Sequence, residues 1–439
     1  MTTTPSPLSA LELVGGRDVG TIRPPVHRLQ PDGLEVDSHL SALLDVVEAA
    51  HPAAGVDALA AELRRRVGAT GVSLLILDMD GEALVHLARR AEREQQADGE
   101  LPSQQVEETA PAARTALQEQ RLQVVLNGDR GAGGVHVYAP VSSRGETVGV
   151  LELRLPMAPT LDVVSYLAAA ARTLAYVVIA DRRHTDLYEV GERSSTMALE
   201  AEIQRRLLPP SYSCQGPQFA LAGWQIPASS GGGDTFDYVV GERRLLLSVT
   251  DAMGHGVAAA QLASLAVNSL RNSRRAGLGP VEQARRAGDA VVEHAAPDQF
   301  VTALLVEIEL DTGAAVMVNA GHVSPLLVRD GHVTEVKLEP GLVLGVSAGT
   351  QYQTQPLQLE PGDRLVLLTD GMFEREAADA EISRVLVNLP PMHPREAAQI
   401  LTRAVLDVTG GAVRDDATVL VLDWYGAARA TVPPQPSPA

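Results

Sequence analysis

Three strand-like runs in this chain each begin or end beside an aspartate. Arg243 to Thr250 (RRLLLSVT) leads into Asp251, Arg364 to Thr369 (RLVLLT) leads into Asp370, and Thr418 to Asp423 (TVLVLD) starts just after Asp415. Runs of Leu and Val at this length read as buried strands. Carboxylates at strand ends, released by glycine or other turn-prone residues into open loops, can converge on one point though far apart in sequence. Such a set offers hard oxygen ligands with no cysteine and no obligatory histidine, which favours Mg²⁺ or Mn²⁺ over Zn²⁺. Two such ions bridge a water, lower its pKa and stabilise charge on a phosphoryl group, so no Ser, Cys or His nucleophile is required. The single cysteine, Cys214, lies in SYSCQGP with no base signature near it, and it excludes an intrachain disulfide or a Cys-based metal cluster.

The chain has 439 residues, more than one core usually organises, so two domains are expected. A net charge of −19 argues against nucleic acid or an anionic membrane as partner. The N-terminus, MTTTPSPLSA, lacks the basic start and apolar core of a signal peptide. The longest apolar stretch, Tyr166 to Ala180, is interrupted by Arg172 and Thr173 and reads as too short to span a bilayer. A cytoplasmic location is therefore expected.

Residues 1–37 and 427–439 are rich in Pro, Ser and Thr and read as disordered tails. From Ser38 the pattern turns helical, with stripes at Leu40, Leu43, Leu44 and Val47 and at Leu59, Leu63 and Val67. Gly71 to Asp78 reads as a strand, with Asp80-Gly81 a turn after it; further strands follow at Leu122 to Leu126, Gly134 to Val141 and Thr147 to Leu155. A helix pair enclosing a meandering sheet, closed by the hairpin APVSSRGETVGVLEL, resembles a GAF sensory domain over residues 38–160. The resemblance implies a small ligand or a dimer-forming role, and no Cys, His or aromatic cluster names a ligand in the sequence. Residues 161–208 contain no proline and read as a helical linker. Either it lies on a domain as one amphipathic helix, or it pairs with a second copy as a coiled coil in a homodimer. The second reading is preferred because the segment joins two domains. Pro209-Pro210 ends it.

Downstream lie EIQRRLLP (Glu202 to Pro209), Pro227-Ala228, GGGDTFD (Gly231 to Asp237), TDAMGHG (Thr250 to Gly256), FVT (Phe300 to Thr302), NAGH (Asn319 to His322), PGD (Pro361 to Asp363), LTDG (Leu368 to Gly371) and RDDAT (Arg414 to Thr418). In this order and spacing they resemble the SpoIIE-type branch of the metal-dependent (PPM) serine/threonine protein phosphatases, over roughly residues 200 to 425, with the domain itself expected at 209–426. The fold class expected is therefore α+β: a GAF-like antiparallel sheet with helices, a helical linker, and an α-β-β-α sandwich. Carried over by position, the resemblance implies that Asp251 bridges two divalent cations, Mn²⁺ or Mg²⁺. The carbonyl of Ala252 completes the second site, Asp370 and Asp415 hold the first, and Asp234 acts through metal-bound waters. The substrate implied is a phosphoserine or phosphothreonine on a small protein of the anti-anti-sigma type.

Alternative roles stand beside these. Asp370-Gly371 in isolation reads as a hairpin turn, and Asp363 as a turn residue only. Asp237 reads as structural, and Asp416 as bonding backbone or solvent. Gly231 to Gly233 is a flexible loop, a phosphate nest, or a stretch letting backbone approach the metals; the last is preferred. His255 reads as capping or packing ahead of a helix, His322 as a loop anchor, and Phe300 and Thr302 as core. Gly231 and Thr235 stand where the family commonly has Val or Ile and an aromatic residue, which implies a looser Asp234. The rival functions are a non-catalytic module that holds a phosphorylated partner, a sensor-driven dimer scaffold, and a Zn²⁺ hydrolase.

Overall fold

The computed structural model describes residues 19–21, 34–78, 84–87, 111–126, 134–192, 198–228, 231–373, 376–410 and 413–426. The chain divides into two compact units, Met1–Thr196 and Met197–Ala439.

The first unit runs β1 (Val19–Thr21), α1 (Leu34–Glu48), α2 (Gly55–Val67), β2 (Gly71–Leu77), β3 (Leu84–His86), α3 (Pro111–Glu119), β4 (Gln123–Leu126), β5 (Val135–Ser143), β6 (Glu146–Leu155), α4 (Leu161–Asp181) and α5 (Leu187–Glu192). Its six strands form one antiparallel sheet in the order β1-β4-β5-β6-β2-β3. Side chains alternate across a strand, so each strand feeds two cores. Val72, Leu74, Ile76, Val137, Ala139, Leu151 and Leu153 pack on one face with α1, α2, α4 and α5. Leu75, Leu84, Tyr138 and Val150 pack on the other with Ala112, Ala113, Ala116 and Leu117 of α3.

That second face also holds a polar cluster the sequence did not reveal. Glu152 is buried, with His136 Nδ1 at 3.4 Å, His86 Nε2 at 4.0 Å and Ser73 Oγ donating at 3.4 Å. Burial and the Glu152 charge push the Tyr138 hydroxyl up to about 12. These residues come from β2, β3, β5 and β6 and meet only through the strand order.

The single helix expected over 161–208 is three helices instead. α4 begins at an N-cap, Thr160, whose hydroxyl accepts from the Val163 N–H at 3.4 Å. Its Leu167, Ala170, Leu174 and Val178 lie fully within the core of the first unit. The apolar stripe read as a linker seam is thus a domain face. At 21 residues α4 is longer than the stretch read from sequence, and it is long and apolar enough to cross a membrane by length and composition. Its packing against the sheet accounts for that apolarity. α5 also packs in this core, with Tyr188 fully buried. The division between units falls at Thr196/Met197 rather than at 160/161 or 208/209. The tails expected at 1–37 and 427–439 lie largely outside the described residues, as does the Asp80-Gly81 turn; Val19–Thr21 within the first pairs with β4 as an edge strand.

The second unit runs α6 (Leu199–Leu207), β7 (Ser213–Gln215), β8 (Phe219–Ile226), β9 (Asp234–Val240), β10 (Arg244–Ala252), α7 (Gly256–Arg275), α8 (Pro280–His294), β11 (Val301–Glu309), β12 (Ala314–Ala320), β13 (Leu326–Arg329), β14 (His332–Glu335), β15 (Gln355–Gln358), β16 (Arg364–Leu368), α9 (Glu376–Asn388), α10 (Pro394–Thr409) and β17 (Ala417–Trp424). Two antiparallel sheets, β15-β12-β11-β10-β9 and β14-β13-β16-β17-β8-β7, stack face to face. Phe219, Leu221, Phe236, Leu245, Leu247, Val249, Leu304, Leu367, Leu420, Leu422 and Trp424 fill the space between them. α7 and α8 cover the first sheet through Leu262, Ala263, Ala266, Ala287 and Val291, and α10 covers the second through Ala397, Leu401 and Val405. The four layers are those of the expected α-β-β-α sandwich.

Candidate active site

The alternation that sends leucines between the sheets also decides what stands at the sandwich mouth. On β10, Leu245, Leu247 and Val249 point inward, so Asp251 shares their face. On β9 the inward residues Phe236 and Tyr238 are in step with Asp234, and Asp251 pairs with Asp234 in the ladder. On the second sheet, Leu365 and Leu367 are in step with Thr369, Leu420 and Leu422 with Thr418, and Leu221 with Gln225. Each inward apolar row therefore ends in a polar residue at one end of the sandwich.

Asp234 is 2% exposed. The Thr369 hydroxyl donates to its Oδ2 at 2.6 Å, and Thr369 Oγ1 accepts from the Thr418 N–H at 2.9 Å. With that lone pair taken, the single hydroxyl proton is directed at Asp234. The Asp234 carbonyl accepts from Gln204 Nε2 at 2.8 Å and Gln225 Nε2 at 3.1 Å. Burial, then the charges of Asp251 and Asp416, hold its carboxyl well above the usual carboxylate range. Asp251 is half-buried, and burial followed by the charges of Asp370, Asp415 and Asp416 pushes it up to about 7. Asp370 opens a short 3-10 turn after β16 and Asp415 precedes β17; both are exposed. Ala252 is buried, donates to the Gly233 carbonyl at 3.1 Å, and has Gly233 packed against its own carbonyl.

The residues read as ligands are thus gathered electrostatically at one place. They do not close into a cage: among the described residues, no group of three or more His, Cys, Asp or Glu side chains is at metal-holding distance.

Asp416 is 1% exposed and is clasped rather than solvated. It accepts from Gln204 Nε2 at 2.6 Å, from the Ala228 N–H at 2.8 Å, and from the Gly232 and Gly233 N–H groups at 2.8 and 3.2 Å. The glycine run therefore does bring backbone into the site, and its amides bind a carboxylate of the chain itself. Gly232, at φ +143°, sits where side-chain residues are strained. A Cβ on Gly231 would lie 1.9 Å from Asp416 Oδ1, so the glycine there makes room for the clasp. Gly231→Val is expected to cost about 3 kcal/mol of stability, combining overpacking with the loss of bonds to a buried carboxylate. Urea denaturation measures it, and a loss under 1 kcal/mol would contradict the steric reading. Thr235 is buried with its hydroxyl 2.5 Å from that of Thr250, filling the place of the expected aromatic ring with a polar pair.

Other residues fall as follows. Asp237 points away from the mouth and pairs with Arg271 at 3.0 Å and Arg274 at 2.9 Å, a structural role as expected. Asp363 is more than a turn residue: it is 2% exposed and takes both Nε and Nη2 of Arg329. His255 occupies the N-cap position of α7 but is exposed and makes no side-chain cap bond, so it does not cap as expected. His322 is the anchor the sequence suggested, with wider reach. Its Nε2–H donates to the Leu368 carbonyl at 3.1 Å, so Nδ1 accepts from the Thr302 hydroxyl at 2.7 Å. Burial holds it near 4, neutral at pH 7. It ties β11, the ladder partner of Asp251, to the end of β16 that carries Asp370. Thr302 is thereby a bonding residue rather than plain core, while Phe300 is half-buried.

Comparison with known proteins places the second unit beside a family of phosphatases. Residues 241–425 match the family model of stage II sporulation protein E (SpoIIE). The chain is 24% identical over 237 residues to phosphoserine phosphatase RsbU of Bacillus subtilis, covering 53% of this chain and 70% of that protein. It is 27% identical to the RsbU and RsbW domains of Rv1364c from Mycobacterium tuberculosis, over 48% of this chain and 63% of that one, with a TM-score of 0.42. It is 19% identical to the catalytic domain of serine/threonine phosphatase PstP in complex with two manganese ions, over 47% of this chain and 98% of that one, with a TM-score of 0.38. The C-terminal unit of this chain carries a SpoIIE-type domain of the metal-dependent (PPM) serine/threonine protein phosphatases.

Proposed function

We propose that this protein hydrolyses phosphoserine or phosphothreonine on a protein substrate with two divalent cations, Mn²⁺ or Mg²⁺, held at the sandwich mouth. The observation that carries the proposal is the crowding of Asp234, Asp251, Asp370 and Asp415 at one mouth, two of them pushed up towards the neutral form. Carboxylates pressed together in this way fit cations as their missing partner. The fully buried Thr418 hydroxyl also faces the Asp234 carboxylate and, with Thr369, lowers it against the burial and charge that raise it. In this reading Asp251, Asp370, Asp415 and the Ala252 carbonyl would hold the cations, with Asp251 serving both, and Asp234 would act through water. The cations, when bound, activate a water and neutralise charge on the phosphoryl oxygens. The chain itself holds the carboxylates in place. Thr369 aims its hydroxyl at Asp234, Asp416 fixes the glycine run, and His322 locks the two strand ends together.

Incubation with a phosphoserine protein is expected to release phosphate with Mn²⁺ and not with EDTA. Binding of that protein without phosphate release would favour a module that only holds its partner. A small phosphoprotein of the anti-anti-sigma type is the preferred substrate on the resemblance of the motifs, and the kinship to a phosphoserine phosphatase, RsbU, supports phosphoserine as the group cleaved.

The first unit, an antiparallel sheet between helices, supports a GAF-like sensor, and a cytoplasmic homodimer is proposed with it. We infer that its state reaches the catalytic unit along the segment of chain that joins them. Because α4 is core, the informative comparison is the whole chain against one starting at Met197. A changed Mn²⁺-dependent rate is expected; equal rates would sink the inference.

A further inference from the structure

We infer that Gln204 is a positioning residue that sets the metal affinity of the site, acting through Asp416 and the start of β9. The inference rests on the two-cation reading above.

Gln204 is 2% exposed, on a helix whose Arg206 is exposed and whose only other buried residue is Leu207. A buried amide at such a position must find its partners inside the fold. Its Nε2 carries two protons and both are placed: one on the Asp416 carboxylate at 2.6 Å, one on the Asp234 carbonyl at 2.8 Å. One side chain therefore joins the strand that Asp234 opens to the loop that precedes β17. Bonds to an ionised acceptor are about twice as strong as neutral ones.

The rest of Asp416 is filled by the Ala228, Gly232 and Gly233 amides, so the carboxylate has few other ways to settle. Asp415, read as a ligand, is the preceding residue, and its Oδ1 accepts the Asp416 N–H at 2.8 Å. The clasp thus sets where Asp415 and Asp234 stand without Gln204 touching substrate. α6 itself is fixed at its other end, since Arg271 donates to the Leu207 carbonyl at 2.6 Å while also pairing with Asp237. Gln204 and Arg271 hold the helix at two points one turn apart. A shift of α6 would break the contact with Asp416 and with Asp234 together.

Partners one layer behind metal ligands typically govern metal affinity by 10- to 100-fold. Gln204→Met keeps the volume and removes both donors. In the full chain it is expected to raise the Mn²⁺ concentration for half-saturation, read by electron paramagnetic resonance of free Mn²⁺, at least tenfold. Saturating Mn²⁺ is expected to restore most of kcat, with KM for an aryl phosphate unchanged. Leu207→Ala, on the same helix, is the packing control: it should lower the melting temperature and leave the Mn²⁺ midpoint in place. Should Gln204→Met fail to fold by circular dichroism, Gln204→Glu gives a second near-isosteric reading, with an equal or larger midpoint shift expected. A wild-type midpoint in the folded variant would overturn the role of Gln204. Absence of Mn²⁺ binding by the wild type would overturn the two-cation reading, and this inference with it.

Discussion

Asp251→Asn is expected to lower Mn²⁺-dependent phosphatase turnover by a factor on the order of 10³ or more. Carboxylates crowd Asp251 from both sheets: it pairs with Asp234 in the ladder and bears the charges of Asp370, Asp415 and Asp416. In the proposed role of a ligand common to both cations it would not be replaced by a neutral amide, because the amide supplies neither the charge nor the second strong acceptor. Losing one preorganised electrostatic contact at a transition state costs about 10² to 10³ in rate, and losing the metal pair costs more. Steady-state release of phosphate from a phosphoserine protein measures it. Retention of a tenth of the wild-type rate would remove Asp251 from the centre of the site.

The same substitution should stabilise the protein when metal is absent, and the gain should grow with pH. Asp251 ionises near 7 in the folded chain against an ordinary value of 3.8. A carboxylate raised on folding binds more protons folded than unfolded, so its contribution to stability falls as pH rises from about 4 through about 7. His322 and His393, both lowered by burial to about 4, tilt the wild type in the opposite sense between pH 4 and 6.5. The difference between wild type and Asp251→Asn cancels those terms. In EDTA the variant should exceed wild type by about 2 to 4 kcal/mol at pH 8 and by much less at pH 5. Urea denaturation at the two pH values decides it; a gap that narrows towards pH 8 would contradict the crowding. At pH 8, Mn²⁺ at a hundred times its dissociation constant should return about 2.7 kcal/mol to the wild type.

What the sequence disclosed follows from what is local. β10, β16 and β17 were legible because their apolar runs are continuous, and the aspartates at their ends came with them. Reading the alternation one residue further would have placed Thr369 and Thr418 inward as well. Gln204 was not legible as a partner of Asp416, since 212 positions separate them and only the sheet order brings α6 to that loop. The Glu152 cluster was hidden likewise, with its histidines on strands that adjoin only in space. The stripe of α4 was seen correctly as apolar, but periodicity does not say which surface a stripe covers. The surplus of buried small residues, Ala169, Ala170, Ala171 and Ala175, was the sign of close packing on a sheet.

β17 lies between β16 and β8, in the interior of its sheet, although it comes last in sequence among the described strands. A growing polypeptide therefore lacks the middle of this sheet until the other strands described for the second unit have all been made. A chain cut before Ala417 is expected to hold two separated half-sheets rather than a weakened form of the same sandwich. Insertion of this one strand thus makes closure of the sheet a late, all-or-none step in assembling the second unit.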